Sequence, residues 1–293
     1  MPEEPSEIQS IINRIPGLEG AEPVQRLTGG DTSVKWLLEA GNDRFVLRVD
    51  RAIAGELGLD RQAETEILEV VGKAGIGPRL VWASPAEGIQ LCTYVAGDPW
   101  SWSDVRNPAL LSSLAHTLAR LHALPASGPA FDPAAAAQCY AAEIATPEAE
   151  ELAARALGLV EELTEEGGRS ALCHNDLVHT NLVGHGPVRL IDWEFAAVGD
   201  PCFDLAIVIR HHELPDALAD GFLDQYARAA GPVSRQRLHK NFELYDLLAA
   251  LWYQSLIHKS GPSSPFQAEW RRAMLRLNAS RANSPASGFG WMI

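Results

Sequence analysis

Cysteine is scarce in this chain: Cys92, Cys139, Cys173 and Cys202 are scattered over 293 residues with no C-x-x-C spacing. That excludes a disulfide framework and a cysteine-built zinc site as organising elements, and leaves free thiols in a reducing cytoplasm as the expected state. Long apolar runs are missing too. Nothing approaches the roughly 18 apolar residues of a membrane span, and the acidic, polar stretch Met1 to Ser10 does not read as an export signal. Positive charge is the minority sign, 24 Lys and Arg against 38 Asp and Glu, for a net charge of −14. A field of that sign repels nucleic acid and anionic lipid and favours cationic ligands, so neither nucleic acid nor membrane is an expected partner. With 46% hydrophobic and 21% charged residues, the composition is that of an ordinary globular protein, long enough for two lobes.

Periodicity divides the chain in two. Val34, Trp36 and Leu38 alternate with polar neighbours, as do Phe45, Leu47 and Val49 after Gly41-Asn42-Asp43, which predicts a β-hairpin with Arg48 on the opposite face. Ile67, Leu68, Val70 and Val71 suit a helix from Arg61 to Ala74, closed by Gly75. Two more strands follow, Leu80 to Ala83 and Ile89 to Val95. Beyond Gly97-Asp98-Pro99, helical periodicity dominates to Arg281. Asn107-Pro108 reads as a cap and first turn, with Leu110, Leu111, Leu114, Leu118 and Leu121 as one apolar stripe. The Ala-rich stretch Pro133 to Glu166 reads as further helix, and Leu182-Val183 with Val188 to Ile191 as a hairpin that carries Asp192 at its exit. The expected organisation is a nucleotide-binding lobe over 1–96, a helical catalytic and substrate lobe over 97–283, and a Gly- and Ser-rich, disordered tail over 284–293.

The chemistry concentrates between His174 and Asp192. His174-Asn-Asp-Leu-Val-His-Thr-Asn181 contains H-x-D-x-x-x-x-N, the spacing of a kinase catalytic loop. Asp176 is placed to accept a hydroxyl proton as the catalytic base. Asn181 offers a neutral oxygen and Asp192 a carboxylate to a hard cation, which points to Mg²⁺ bridging the phosphates of ATP. His174 and Asp204 read as hydrogen-bonding supports of this loop. Upstream, Gly29, Gly30, Thr32 and Ser33 form a small-residue turn whose backbone N–H groups can approach phosphates. Arg48 is positioned to hold the α- and β-phosphates, paired with Glu64 of the following helix. The linker Leu91 to Gly97, through Thr93 and Val95, offers backbone partners to adenine.

With these residues in place, the chain resembles the choline/ethanolamine kinase and aminoglycoside phosphotransferase superfamily, in its bacterial choline-kinase-like and thiamine-kinase-like branch. The resemblance runs from about Val24 to Leu256. It rests on His174 to Leu182, Leu190-Ile-Asp-Trp-Glu-Phe-Ala196, Gly199-Asp-Pro201, Phe203-Asp-Leu-Ala206 and Leu118-Ala-Arg-Leu-His122. It implies an α+β, protein-kinase-like two-lobed fold, with a small antiparallel β-sheet lobe holding one helix and a larger, mainly helical lobe. It implies the roles already given to Asp176, Asn181, Asp192, Arg48 and Glu64. Arg48 stands where aminoglycoside kinases carry Lys, which is a feature of the choline-kinase side.

The run Asp192-Trp-Glu-Phe195 also resembles the cationic-alcohol branch, where the acidic residue after the metal Asp helps to receive a substrate ammonium. Glu194 is that residue here. A quaternary ammonium has no N–H to donate and depends on charge and aromatic faces, for which Phe195, Tyr245, Trp252 and Tyr253 are the candidates. The expected reaction is therefore ATP- and Mg-dependent phosphorylation of a small cationic alcohol, choline first, with ethanolamine and thiamine close behind. An aminoglycoside or amino-sugar kinase is the alternative, and a regulatory pseudokinase is disfavoured because Asp176, Asn181 and Asp192 are all present.

Overall fold

In the computed structural model, residues 5–27, 33–51, 59–261 and 263–282 are described. Gly29, Gly30, Thr32 and the 284–293 tail lie outside them.

Five antiparallel strands form the first lobe: β1 Glu22–Leu27, β2 Ser33–Ala40, β3 Asp43–Asp50, β4 Leu80–Ser84 and β5 Ile89–Thr93, in the order β1-β2-β3-β5-β4. Strict alternation gives the sheet two different faces. Val34, Trp36, Leu38, Leu47, Val49, Ile89 and Leu91 are buried on one, under Ile8, Ile12, Ile15 and Leu18. Ile8 and Ile12 belong to a short helix, α1 Pro5–Ile12, which the acidic composition of the N-terminus concealed. The opposite face carries Lys35, Arg48 and Gln90, with Lys35 directly across from Arg48 and Arg48 across from Gln90. Helix α2 Arg61–Lys73 begins at Asp60, whose side chain accepts from the Ala63 amide, and buries Glu64, Ile67, Leu68 and Val71.

The second lobe is helical around one continuous core. Its helices are α3 Pro108–Leu121, α4 Pro133–Ile144, α5 Pro147–Glu165, α6 Pro201–His211, α7 Asp216–Ala230, α8 Arg235–Ser260 and α9 Gln267–Ala282. Four of them start alike: Asn107, Asp132, Thr146 and Asp200 each accept amide hydrogen bonds and precede a proline in the first turn. Such pairs fix the start because the cap satisfies an orphan N–H and proline needs none. The same grammar splits the Ala-rich stretch. Pro147 disfavours helical geometry at Thr146, and Ala145 turns left-handed at φ 53°, so two helices form where the alanines alone suggest one.

Two small ribbons carry the functional loops: β6 Ala171–Cys173 pairs with β9 Ala197–Gly199, and β7 Leu182–Val183 with β8 Arg189–Leu190. Backbone bonds join this region to the first lobe, from Leu190 N–H to Ile76 O at 2.9 Å between α2 and β4, and to the stretch after β5, from Trp100 N–H to Leu182 O at 2.8 Å.

Candidate active site

The loop after β6 is held from beneath by a buried carboxylate. Asp204, on the first turn of α6, accepts from the amides of His174 at 2.9 Å and Asn175 at 2.8 Å, and from His122 Nε2 at 3.0 Å. Burial pushes the Asp204 carboxyl up, but the His122 contact and the His174 amide outweigh it and hold it below the usual range. His174 is fully buried and reaches Ile191 O at 3.0 Å with Nε2, while its Nδ1 accepts from the Asp176 amide at 3.3 Å. Both residues thus sit under the loop rather than in the cleft.

Two non-glycine residues turn left-handed here, Asn175 at φ 62° and Asp192 at φ 67°. Strain of this kind costs about 1 kcal/mol or more per residue and persists where the surroundings over-determine it. Asn175 is pinned by its side-chain amide to Phe195 O at 3.0 Å. Asn181 donates to Asp176 O at 2.9 Å and Asp176 Oδ2 at 2.8 Å, which leaves its amide oxygen as the acceptor end. Ile191 N–H returns to Asn181 O at 3.0 Å, so the β7–β8 turn brings Asp192 back beside the loop.

The electrostatics follow from this crowding. Burial pushes the Asp176 carboxyl up to about 7, repulsion from Asp192 and Glu194 adds to it, and the Asn181 hydrogen bond and Lys35 oppose it. Burial pushes Asp192 up as well, but Lys35 Nζ, 2.9 Å from Oδ2, and Arg48 bring it below its ordinary value.

Across the cleft, Arg48 and Glu64 form a bidentate pair at 2.5 and 2.8 Å, nearly excluded from water. Arg61 extends it into a network, reaching Asp50 at 2.6 and 2.9 Å, Glu64 at 2.8 Å and Glu194 at 3.2 Å. Ser33 is buried at the start of β2 with its hydroxyl unpartnered among the described residues. At the interlobe strand, the Thr93 amide is engaged by Arg79 O at 2.9 Å and its hydroxyl accepts from Arg79 N–H at 3.0 Å. The Thr93 amide is thus engaged within the first lobe, and Val95 lies half-buried two residues on.

A cleft of about 410 Å³ opens beside Asp176, and its walls include Glu194, Phe195, Tyr245 and Trp252 together with Tyr253, Tyr140 and Phe131. Trp252 lies edge-on to Phe195 at 6.3 Å and to Tyr140 at 5.4 Å. Tyr140 and Phe131 are additions from the structure, as are Lys35 and Arg61. Lys35 was legible in principle: a two-residue Gly41-Asn42 turn sets it opposite Arg48. Tyr140 sits in an Ala-rich helix whose sequence gives no sign of the cleft.

A five-stranded sheet facing a helical lobe, with such a loop at the seam, is the architecture of a two-lobed kinase. Residues 23–252 match the phosphotransferase enzyme family (APH), and the chain belongs to that family. The fold is similar to that of a choline/ethanolamine kinase family protein from Mesorhizobium loti, with a TM-score of 0.78 at 23% identity, covering 96% of this chain and 95% of that one. It is also similar to choline kinase LicA from Streptococcus pneumoniae, with a TM-score of 0.76 at 22% identity over 94% and 99% of the two chains. In sequence, an 86-residue stretch is 33% identical to Protein LicA of Haemophilus influenzae; it spans 28% of this chain and 32% of that protein.

Proposed function

We propose that the protein transfers the γ-phosphoryl group of ATP to the hydroxyl of a small cationic alcohol, choline before ethanolamine or thiamine. One observation carries the reading: the carboxylate of Glu194 and the rings of Phe195, Tyr245 and Trp252 line the same cleft as Asp176. Asp176 accepts the acceptor's hydroxyl proton as the new P–O bond forms and the bond to the departing ADP breaks. Asn181 fixes Oδ2 of that carboxylate and so leaves Oδ1 for the hydroxyl. Arg48, anchored by Glu64, and Lys35 supply positive charge toward the nucleotide phosphates, with Thr93 and Val95 toward adenine and with Gly29, Gly30 and Thr32 of the segment between β1 and β2, and Ser33 at the start of β2, toward the phosphates.

Asn181 and Asp192 offer only hard oxygen donors, a set that fits Mg²⁺ and not a soft ion. Held by these two residues, Mg²⁺ would supply charge neutralisation to the nucleotide phosphates and would lower the proton affinity of the neighbouring carboxyls.

Glu194 receives the substrate ammonium. Burial and Asp192 raise its pKa, while Arg61, 3.2 Å away, and Arg48 oppose the rise. The test is charge at constant shape. Choline is expected to exceed its neutral isostere 3,3-dimethylbutan-1-ol by roughly 30-fold or more in kcat/KM, as desolvated cation–π and carboxylate contacts worth about 2 kcal/mol or more imply. In Glu194→Gln the ratio should shrink by at least about tenfold, mostly through KM. Equal ratios in the two proteins would remove Glu194 from the acceptor site.

A further inference from the structure

Three histidines meet where the catalytic loop touches the end of α6, and nothing in the phosphotransfer reading uses them. His179 opens the single helical turn His179–Asn181, His211 ends α6 and His212 caps it. One ring nitrogen of each lies within 4.8 Å of the other two. Trp102 lies over all three, with centroids 4.7, 6.0 and 5.9 Å from His179, His211 and His212, and is itself 41% exposed.

The hydrogen bonding is incomplete in a telling way. His212 is fully buried, and its Nδ1 lies 2.9 Å from Val208 O, which only accepts; the proton is therefore on Nδ1 and the lone pair on Nε2. That Nε2 is buried with no partner among the described residues, and so is Nδ1 of His179. His211 Nδ1 reaches the Tyr245 hydroxyl at 3.1 Å. Buried polar atoms are normally satisfied, so two orphans in one cluster ask for a ligand. Another grouping of potential donors, His122, Cys173 and Asp204, needs none: both ring nitrogens of His122 and both oxygens of Asp204 already have partners.

We propose that His179, His211 and His212 bind one borderline divalent transition ion, of which Zn²⁺ is the type, with water as the fourth ligand. Neutral imidazole suits such ions, and a ring nitrogen held by a backbone carbonyl on its far side is the usual support of a metal-binding histidine. Burial keeps His211 and His212 in the neutral, ligating form. The nearby cations are matched: Arg272, 5.6 Å over the Trp102 ring, pairs with Glu269, and Arg276 pairs with Asp246 at 2.6 Å. Tetrahedral Zn–N bonds of about 2.0–2.1 Å set ligand nitrogens about 3.3 Å apart, so modest ring rotation closes the site. Half-buried His179 is the ring with room to make it. The ion would tie the segment carrying Asn181 to the end of α6 and, through His211, to Tyr245 of the acceptor cleft.

Metal-stripped full-length protein is titrated with Zn²⁺ against a chromophoric chelator, and with Co²⁺ while visible absorption is followed. One tight equivalent of Zn²⁺ and the intense bands of four-coordinate Co²⁺ are expected. His179→Gln and His211→Gln should each weaken Zn²⁺ binding by about 1000-fold or more, beyond the roughly 10–100-fold that loss of an outer-sphere partner costs. His258→Gln, at an exposed histidine of α8, should leave it unchanged. Should the His211 variant fail to fold, the wild-type Co²⁺ spectrum and half-buried His179→Gln decide. Equal affinity of wild type and His179→Gln, or only the pale spectrum of six-coordinate Co²⁺, would overturn the proposal.

Discussion

Replacing Asp176 with Asn is expected to lower kcat by about 1000-fold, within the range of a lost general base, while Mg-ATP binding changes by no more than a few-fold. Asn keeps the size of the side chain and an oxygen for the Asn181 bond of 2.8 Å, so the loop remains intact and only proton acceptance is lost. Without metal, burial and the neighbouring Asp192 raise the Asp176 carboxyl to about 7, and Mg²⁺ held by Asn181 and Asp192 would draw it down toward the ionised, proton-accepting form. Single-turnover transfer from labelled ATP, with nucleotide affinity measured in parallel, separates the two effects. Turnover at the wild-type rate would mean that the hydroxyl proton leaves by another route and that Asp176 is not the base.

Glu64→Ala should produce the largest loss of stability, about 3–5 kcal/mol in urea unfolding, because it strips a buried pair of one partner. Arg48 is 6% exposed and Glu64 3%, and Arg61 also leans on the same carboxylate at 2.8 Å. Without Glu64, the two guanidinium groups face each other with Asp50 as their shared anion. Glu69→Ala on the solvent face of the same helix, where the ion pair to Lys73 spans 3.5 Å in the open, should cost less than about 0.5 kcal/mol. A difference between the two variants of under 1 kcal/mol would show that the Arg48 network carries no structural load. The KM for ATP should rise in Glu64→Ala as well, since Arg48 loses the group that orients it.

What the sequence disclosed and what it hid divide along chain distance. The loop from His174 to Asn181, the return to Asp192 and the pairing of Arg48 with Glu64 were legible because each is written in a fixed local spacing or in one strand and the helix after it. The leucine stripe of α3 and its Asn107-Pro108 start were legible for the same reason. Arg61 was not, because two of its partners, Asp50 and Glu194, come from segments outside its own helix and only folding brings them to it. Tyr140 and Phe131 reach the cleft from helix α4 and the loop before it, positions that no periodicity relates to Asp176. The three histidines show the limit most clearly: His211-His212 is a plain dipeptide at a helix end, and only the structure sets His179 and Trp102 against it. Helix α1 escaped because polar residues outnumber the apolar ones in its first turns, although Ile8 and Ile12 keep the four-residue spacing of a buried face.

Phosphoryl transfer to the hydroxyl of a cationic alcohol in the cleft beside Asp176 is tested most directly by the choice of acceptor. Purified protein with Mg-ATP should be offered choline, ethanolamine, thiamine, N-acetylglucosamine and kanamycin, with ADP release and product mass followed together. One cationic alcohol should be converted to its phosphate ester with kcat/KM far above the others. Phosphorylation confined to the sugar or to kanamycin, or ADP release with no ester formed, would contradict it.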